Sequence, residues 1–438
     1  MKKLFNILLL TCLSLTAIAQ HQKPNFIIIY VDDMGYGDLD INGQPNISTP
    51  NLNKMAKQGT VFSNYYSASP ACTASRYALL TGKYPPRSGF RWVLDPKDPK
   101  GIHDKEITLA EYLKEQAYTT AIFGKWHLGA TKQAYLPLQN GFDKYVGLPY
   151  SNDMIPPKYQ DIAFMKGNDT LSFNPDQSQL TRIYTEEAIQ FVTENKKKPF
   201  FIYLPYAMPH TPLHPSKQFE GKSKRGAYGD VVEELDYYIG KLMSKLEKEG
   251  LAKNTYVIFT SDNGPWILQK ENGGSAGLFK DGKGSTWEGG MRVPFILWGH
   301  KNIQQQRVVQ ETFSALDILP SIVKLSNGEV NKSSEIDGID LSNLFTSNGN
   351  GRDLFYYFGL DHELFAVRKG RWKLHVKTYS QLGKEYFNKK IPLLFDLDVD
   401  PSENYDLADK NPEIVAELMT LIKNKKEQIL TQGSYWKN

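Results

Sequence analysis

The 438-residue sequence is poor in cysteine, in net charge and in long apolar runs. It contains 2 cysteines, and its formal charge of +4 includes Lys2 and Lys3 near the N-terminus. This near balance lacks the basic face with which nucleic-acid-binding proteins neutralise phosphates, so no nucleic-acid partner is predicted. No apolar run after the N-terminal region is long enough to cross a membrane, so no transmembrane segment is predicted.

The N-terminal region, residues 1–19, has the pattern of a secretory signal peptide. Two lysines come first, residues 8–15 lie in an apolar run, and the Ala-Ile-Ala sequence at 17–19 fits a cleavage site with small side chains. We predict cleavage before Gln20 and an exported protein, either periplasmic or secreted. The alternative is a buried first helix, but the polar residues 21–24 follow at once.

Cysteine usage points to one position in the mature chain. Cys12 lies inside the predicted signal peptide, and Thr11 before it suits a lipid-anchoring cleavage site poorly. The mature chain then keeps only Cys72 and can form no internal disulfide. A lone thiol in an oxidising compartment is a liability unless it is modified or used, so Cys72 is a candidate functional residue.

Arg76 follows Cys72 by four residues in a stretch that we predict to be helical. This spacing places both side chains on one face, and the unpaired N–H groups of a helix N-terminus favour negative charge. The guanidinium adds a fixed cation whose geometry suits oxyanions. The stretch predicts a reactive group facing an anionic substrate. The alternative is an ordinary free cysteine in a helix.

Oxygen-bearing side chains follow two predicted strands. Asp32 and Asp33 come after the apolar run at 25–31, and Asp262 and Asn263 come after a second apolar run. Ligands of open α/β sheets gather beyond the carboxyl ends of the strands. Carboxylates and a carboxamide suit a hard cation, and we predict Ca²⁺ rather than Mg²⁺. The alternative is a solvated turn with spare acidic residues.

Basic side chains follow two further predicted strands. Lys125 and His127 come after a strand predicted at 117–123, and their spacing of two allows both to face a pocket. His210 lies in a loop stiffened by prolines, after a strand predicted at 199–204. The alternative for Lys125 and His127 is a salt-bridged lysine and a packed histidine.

The remaining patterns predict an α/β protein with two parts. Helices are predicted at 51–59, 107–116, 183–195, 231–249, 314–325 and 411–426, and another strand at 293–298. The composition changes near residue 347, after which four short aromatic runs predict a small antiparallel sheet. We predict a catalytic domain at 20–347 and a small C-terminal α+β domain at 348–438.

The residues around Cys72 carry a family resemblance. The run Cys72-Thr73-Ala74-Ser75-Arg76, continued as Leu79-Leu80-Thr81-Gly82, closely resembles the signature of the sulfatase family, with Ala74 where the familiar form has proline. The resemblance covers nearly the whole mature chain and is closest to the arylsulfatase A and N-acetylgalactosamine-6-sulfatase branch. Further matching segments are Gly124-Lys125-Trp126-His127, Pro149-Tyr150-Ser151, Pro209-His210-Thr211-Pro212, and Lys283 before Glu288-Gly289-Gly290.

The resemblance implies a fold, a modification and a set of roles. The fold is alkaline-phosphatase-like, with a large mixed and mostly parallel sheet flanked by helices. A formylglycine-generating enzyme oxidises the cysteine to formylglycine. The implied Ca²⁺ ligands are Asp32, Asp33, Asp262, Asn263 and residue 72, derived from Cys72. The implied catalytic residues are Cys72, Arg76, Lys125, His127, His210 and Lys283, and the implied substrate contacts are Ser151, Lys125, His210 and Lys283.

The same resemblance implies the reaction. One hydroxyl of hydrated formylglycine attacks sulfur and the other serves to expel sulfate, with His210 or Lys283 as general acid and His127 as base. The predicted substrate is a sulfated carbohydrate from a glycosaminoglycan or an algal polysaccharide. The alternatives are a formylglycine-dependent phosphodiesterase or phosphonate monoesterase, and a binding protein for sulfated glycans in which Cys72 is not matured.

Overall fold

The computed structural model describes residues 23–90, 92–331 and 334–436. The predicted signal peptide, its cleavage position and Cys12 lie outside the described residues, so these stay predictions. In the described part of the chain, no helix combines the length and the apolar character needed to span a membrane.

Most of the strands belong to one large sheet. The strands are β1 (Asn25–Val31), β2 (Thr60–Phe62), β3 (Tyr65–Tyr66), β4 (Thr119–Phe123), β5 (Lys144–Gly147), β6 (Ala163–Lys166), β7 (Asp169–Phe173), β8 (Phe200–Pro205), β9 (Thr255–Ser261), β10 (Phe295–Gly299), β11 (Arg307–Val309), β12 (Phe313–Ser314), β13 (Leu354–Phe358), β14 (Leu364–Lys369), β15 (Trp372–His375) and β16 (Leu393–Asp396). The spatial order in the large sheet is β11-β2-β10-β9-β1-β8-β4-β5-β6-β7.

The centre of this sheet is parallel and its other strands are mixed. Strands β9, β1, β8, β4 and β5 pair in parallel with their neighbours in that series. Strand β10 is antiparallel to both of its partners, and β6 and β7 form an antiparallel edge. The parallel pairs bring the carboxyl ends of β1, β4, β8 and β9 to one edge, where the sequence predicts the site.

The central strand β1 shows why the sheet is covered on both sides. Phe26 and Ile28 belong to one hydrophobic core, whereas Ile27 and Ile29 belong to the other. All four side chains are fully buried. Because alternate residues of a strand face opposite ways, a continuous apolar run must be covered on both faces. Each large side chain buried in this way contributes roughly 1.5–3 kcal/mol.

Helices pack on both faces of the large sheet. They are α1 (Pro50–Lys57), α2 (Cys72–Thr81), α3 (Leu109–Glu115), α4 (Leu180–Asn195), α5 (Ala227–Lys248), α6 (Glu288–Met291), α7 (Ala315–Leu325), α8 (Asn343–Thr346) and α9 (Pro412–Gln432). Helices α1, α4 and α5 supply one core, and α2, α3 and α7 supply the other. The predicted helices are all present with shifted ends, and the predicted α/β class with a mixed, mostly parallel sheet is confirmed.

The C-terminal part contains the predicted small antiparallel sheet, in the order β13-β14-β15-β16. The Phe355 ring lies 5.5 Å from the Tyr66 ring and 6.0 Å from the Tyr84 ring. The two parts therefore share one hydrophobic core on the α2 side of the large sheet. The exact boundary between the domains at 347 and 348 stays a prediction.

Candidate active site

Four buried side chains converge beyond the carboxyl end of β1. One potential ligand atom from each of Asp32, Asp33, Cys72 and His210 lies within 4.8 Å of the others. Two of these residues extend β1, one begins α2, and one lies in the loop after β8. Three elements distant in sequence thus meet at one point, as the strand-end pattern predicts.

Asp262 and Asn263 join this cluster through the parallel pairing of β1 with β9. The register places Val31 opposite Ser261, so the residues that follow the two strands meet. The Asp33 N–H donates to Asp262 Oδ1 at 3.1 Å, and Asn263 Nδ2 donates to Asp33 Oδ1 at 2.7 Å. Asp33 has a φ of 65°, an uncommon conformation for a residue other than glycine and typical of functional sites.

Cys72 is the first residue of α2, and its thiol is buried beside a carboxylate. Its N-cap neighbour Ala71 has no side-chain oxygen to accept from the first N–H groups of the helix. The Cys72 Sγ lies 3.4 Å from Asp32 Oδ1. Burial raises the pKa of the thiol, and the negative charge of Asp32 raises it further. A raised pKa disfavours the thiolate, which is the form in which a cysteine acts as a nucleophile.

Arg76 lies on the same side of α2 as Cys72, as the spacing of four predicts. Its Nη2 lies 2.8 Å from Asp262 Oδ2 and 3.4 Å from Asp32 Oδ2. The guanidinium carbon is 5.5 Å from the centre of the Tyr30 ring. Because a fully buried cation is costly without paired anions, the two carboxylates fix this side chain in place.

Two lysines complete the ring of cations. The Lys125 ammonium donates to Asp32 Oδ2 and, at 3.0 Å, to Ser151 Oγ. The Lys283 ammonium donates to Asp33 Oδ2 at 2.8 Å. The structure thus brings the predicted substrate contact Ser151 to Lys125, and both lysines to the acidic pair.

The carboxylates differ in how well their charge is compensated. Burial alone would raise the pKa of Asp32, but Lys125 and the other cations, Arg76 and Lys283, hold it well below the usual range. The pKa of Asp262 is raised instead, because burial and the negative charge of Asp32 outweigh its pairing with Arg76. The neighbouring cations therefore compensate the negative charge around Asp262 only in part.

The residues present fit a hard divalent cation at this place. Asn263 Oδ1 is buried and has no hydrogen-bond partner among the described residues, which is unusual for a buried carboxamide oxygen. The surrounding donors from Asp32, Asp33 and Asp262 are all oxygens, the ligands that Ca²⁺ and Mg²⁺ prefer. A cation there would be coordinated by this unpaired oxygen and would reduce the repulsion between the adjacent carboxylates.

His127 is held as a neutral imidazole with one free nitrogen. Its Nε2 lies 3.0 Å from the Leu94 carbonyl oxygen, which can only accept, so we assign the proton to Nε2. The Nδ1 atom is buried and has no partner among the described residues. Burial, together with the charges of Lys125 and Arg76, lowers the pKa of the ring well below its ordinary value. A free Nδ1 lone pair in a neutral ring is suited to accept a proton.

His210 and Lys283 lie beside each other and share an aromatic neighbour. His210 Nδ1 is 2.5 Å from the Thr211 carbonyl oxygen, and Nε2 is 3.5 Å from Asp33 Oδ2. Burial and the Lys283 charge lower the pKa of His210. The pKa of Lys283 is raised, because Asp33 and the other anionic groups outweigh its burial. The centre of the Trp266 ring lies 5.4 Å from that of His210 and 4.6 Å from the Lys283 ammonium.

Two residues of this site, Leu94 and Trp266, are not predicted from the sequence. Leu94 acts through its backbone carbonyl, for which no side-chain pattern exists. Trp266 follows Asn263 by three residues, and its position just beyond β9 is the signal that could have found it.

Fold and site together define a hydrolase of the alkaline-phosphatase-like class, with a cationic pocket for an anionic ester. The family model for sulfatases matches residues 24–328. A second model, described as the C-terminal region of aryl-sulfatase, matches residues 350–435. The chain belongs to the sulfatase family, and its enzyme class is that of the sulfuric ester hydrolases.

Similar proteins cover nearly the full length of the chain. N-acetylgalactosamine-6-sulfatase of Mus musculus is 36% identical over 446 residues, covering 92% of this chain and 85% of the relative. Arylsulfatase A of Bos taurus is 35% identical over 453 residues, covering 94% and 89%. A chain solved in a study of glycosaminoglycan metabolism by Bacteroides thetaiotaomicron superposes with a TM-score of 0.84 at 29% identity, covering 93% of this chain and 100% of that chain.

Proposed function

We propose that the protein is an exported sulfatase that removes sulfate from a sulfated carbohydrate, a glycosaminoglycan or algal polysaccharide fragment. The observation that carries this proposal is the buried Cys72 thiol, whose pKa is raised and which lies against Asp32 inside a ring of cations. The substrate class is supported by the named activity of the mouse relative and by the glycosaminoglycan study of the Bacteroides chain.

Two groups would complete the site. Residue 72 would carry formylglycine, made from Cys72 by a formylglycine-generating enzyme, and a Ca²⁺ ion would be held by Asp32, Asp33, Asp262, Asn263 and residue 72. When present, the hydrated aldehyde supplies one hydroxyl as nucleophile and a second for sulfate release, and the cation lowers the pKa of the attacking hydroxyl. Ca²⁺ suits this set better than Mg²⁺ because it tolerates several carboxylates and a carboxamide with few waters.

The cationic side chains bind and orient the sulfate group. Arg76 stays paired with Asp262, and this holds its guanidinium beside residue 72. With a bound cation compensating Asp32 and Asp33, the ammonium groups of Lys125 and Lys283 become available to sulfate oxygens. Ser151 Oγ, which now accepts from Lys125, adds a polar contact at the same position. Fixed donors in a buried site stabilise the charge of the transition state without reorganisation.

Proton transfer is assigned to the two histidines and Lys283. The free Nδ1 of His127 accepts the proton whose removal allows sulfate to leave residue 72. A proton for the departing sugar oxygen comes from the Lys283 ammonium, or from His210 when its ring carries a proton on Nε2 as well as on Nδ1, and both groups lie against Asp33 Oδ2. All of these groups are largely shielded from solvent, so water competes little for the transferred protons.

The proposal is tested on protein co-produced with a formylglycine-generating enzyme. Conversion of the cysteine lowers the intact mass by about 18 Da. We expect converted protein with Ca²⁺ to release sulfate from 4-nitrophenyl sulfate or from N-acetylgalactosamine 6-sulfate, and to cleave a phosphate diester far more slowly. Turnover by unconverted protein would contradict the proposal. So would a converted protein that cleaves the diester but releases no sulfate.

A further inference from the structure

A basic and aromatic cleft lies beside the turn that carries Lys283. Its volume is about 370 Å³. The segment 377–391 of the C-terminal part supplies most of its lining, and Trp287 supplies the wall from the catalytic part. None of the residues assigned to the active site lines this 377–391 cleft, so it is a separate feature of the surface.

Direct packing connects the cleft to the active site. Gly284 follows Lys283 and has a φ of +83°, and its N–H donates to the Pro70 carbonyl at 2.8 Å, two residues before Cys72. On the other side of this glycine, a β-carbon would lie only 2.7 Å from Gln381 Nε2. A glycine is therefore required at this position, where the cleft segment packs against the turn between Lys283 and the α2 loop.

The cleft carries an excess of positive charge. Lys377, Lys384 and Lys389 line it, with Glu385 as its acidic residue. Lys377 pairs with Glu363 and Lys389 pairs with Glu385, and the partners in both pairs are about half exposed or more. Exposed pairs of this kind are weak, so an incoming anion can replace them. Lys384 forms no ion pair with any described residue.

Aromatic faces and unpaired polar atoms occur between these charges. The side chains of Tyr379 and Tyr386 line the cleft, and the Tyr386 ring lies 5.3 Å from the Trp287 ring. Trp287 is fully buried and its Nε1 has no partner among the described residues, and the same holds for the buried Gln381 Oε1. A buried indole N–H normally finds an acceptor. The tyrosine rings at the surface of the cleft suit the apolar faces of a sugar unit, and the two buried polar atoms lie behind them.

We propose that the 377–391 cleft binds neighbouring units of a sulfated carbohydrate chain while one unit presents its sulfate ester at residue 72. Separated ammonium groups match sulfates spaced along such a chain, and the tyrosines match the sugar rings between them. The inference rests on the proposed function and extends it, because it makes the preferred substrate an oligosaccharide rather than a single sulfated sugar.

The test compares two triple variants with the same charge change. The cleft variant is Lys377→Gln, Lys384→Gln and Lys389→Gln. The control is Lys196→Gln, Lys197→Gln and Lys198→Gln, three exposed lysines just before β8, at the edge of the sheet opposite the active site. Both are made in a Cys72→Ala background, and binding of a chondroitin 6-sulfate hexasaccharide and of dextran sulfate is measured by calorimetry at about 50 mM salt. Thermal unfolding verifies that each variant is folded.

We expect the cleft variant to bind at least one of the two chains about tenfold more weakly than its parent, and the control to bind as the parent does. With Cys72 restored, hydrolysis of 4-nitrophenyl sulfate should stay unchanged in the cleft variant, since this small ester does not reach the cleft. Equal affinities in both triple variants, or no binding of either chain by the parent, would overturn the inference. Weakened binding without hydrolysis of any sulfate ester would support the cleft and refute the proposed function.

Discussion

Two fully buried clusters of charge lie on either side of the Lys283 turn, and they are built in opposite ways. In the first, the active site, three carboxylates are adjacent and the cations surround them. In the second, the C-terminal network, charges alternate: the Lys373 ammonium lies 2.9 Å from both Glu288 Oε1 and Glu403 Oε1. His375 Nε2 lies 2.7 Å from Glu403, and the Tyr66 hydroxyl donates to Glu288 at 2.6 Å.

The pKa directions follow from this arrangement. Burial would raise the pKa of Glu288, but Lys373 and Arg292 outweigh it and keep the pKa below the ordinary value. For Asp262 the balance is reversed, because its neighbouring carboxylates add to the effect of burial. A buried cluster of alternating charges is therefore compensated by its own members, whereas a cluster of adjacent like charges requires another cation.

The C-terminal network also joins the two parts of the molecule. Lys373 donates to the Thr286 carbonyl at 2.9 Å, and the Glu288 N–H donates to Glu403 Oε2 at 2.7 Å. These bonds attach the small sheet to the turn that carries Lys283. We therefore expect substitutions in the C-terminal network to act on stability and substitutions in the active site to act on turnover.

The largest expected effect is the loss of activity in Cys72→Ala. Removing the precursor of the nucleophile should lower kcat for sulfate release by at least about 10⁴-fold. The unfolding free energy should hardly change, because the thiol makes only a weak contact with Asp32. Calorimetry of the same preparation verifies the second point, and residual activity near that of the parent would contradict the first.

The next effect concerns His127. A His127→Gln substitution removes the free Nδ1 and should lower kcat by about 10²–10⁴-fold, the usual contribution of a general base. The acidic limb of the pH–rate profile should change with it, because protonation of this ring in acid removes the base. An unchanged kcat and profile would refute the assignment of His127 as the base.

The third expected effect is a difference in how much a substitution in each cluster lowers the unfolding free energy. Lys373→Met leaves Glu288 and Glu403 buried without their shared cation and should cost about 3–5 kcal/mol. Asp262→Asn removes one of three adjacent carboxylates and, at pH 7, should change the stability of the metal-free protein by less than about 1 kcal/mol. Lys54→Met is the control, because its pair with Glu247 is exposed and contributes little. Urea unfolding in EDTA measures these free energies. Equal losses of unfolding free energy in the Lys373 and Asp262 variants would contradict the difference between the two clusters.

The smallest effect is an opposite pH dependence. Because the pKa of Asp262 is raised on folding, its contribution to stability is present in acid and is lost as pH rises from about its ordinary value of 3.8 toward neutral. Because the pKa of Glu288 is lowered, its contribution is present above its ordinary value of 4.5 and is lost as pH falls below it.

Unfolding free energies between pH 3 and 8 in EDTA measure both slopes. The difference between the parent and Asp262→Asn should fall with rising pH, and that between the parent and Glu288→Gln should rise, each by about 1–2 kcal/mol. Parallel slopes would mean that the two carboxylates have equivalent surroundings.

How much of the fold could be predicted depends on burial. The strands β1, β4, β8, β9 and β10 were predicted because continuous apolar runs indicate strands covered on both faces. The exposed edge strand β7 has no buried residue, and β2 and β11 have three residues each, so no apolar pattern indicated them.

For the charged clusters, predictability depends on whether the signal is local in the sequence. Asp32, Asp33 and Cys72 were found because strand ends and cysteine count are local signals, while the catalytic roles came from the resemblance. The C-terminal network was not predicted, because the pairing of Lys373 with Glu288 and Glu403 depends on the docking of the two parts. No periodicity in one segment records such contacts between distant residues.

The central claim is that an oxidised residue 72 among the clustered carboxylates transfers and then releases sulfate. A Cys72→Ser variant tests it most directly, because serine has one hydroxyl and so lacks the second needed for sulfate release. With Ca²⁺ and a chromogenic sulfate ester, the variant should release at most one equivalent of alcohol per protein molecule and no free sulfate. Sustained release of both products by this variant would contradict the claim.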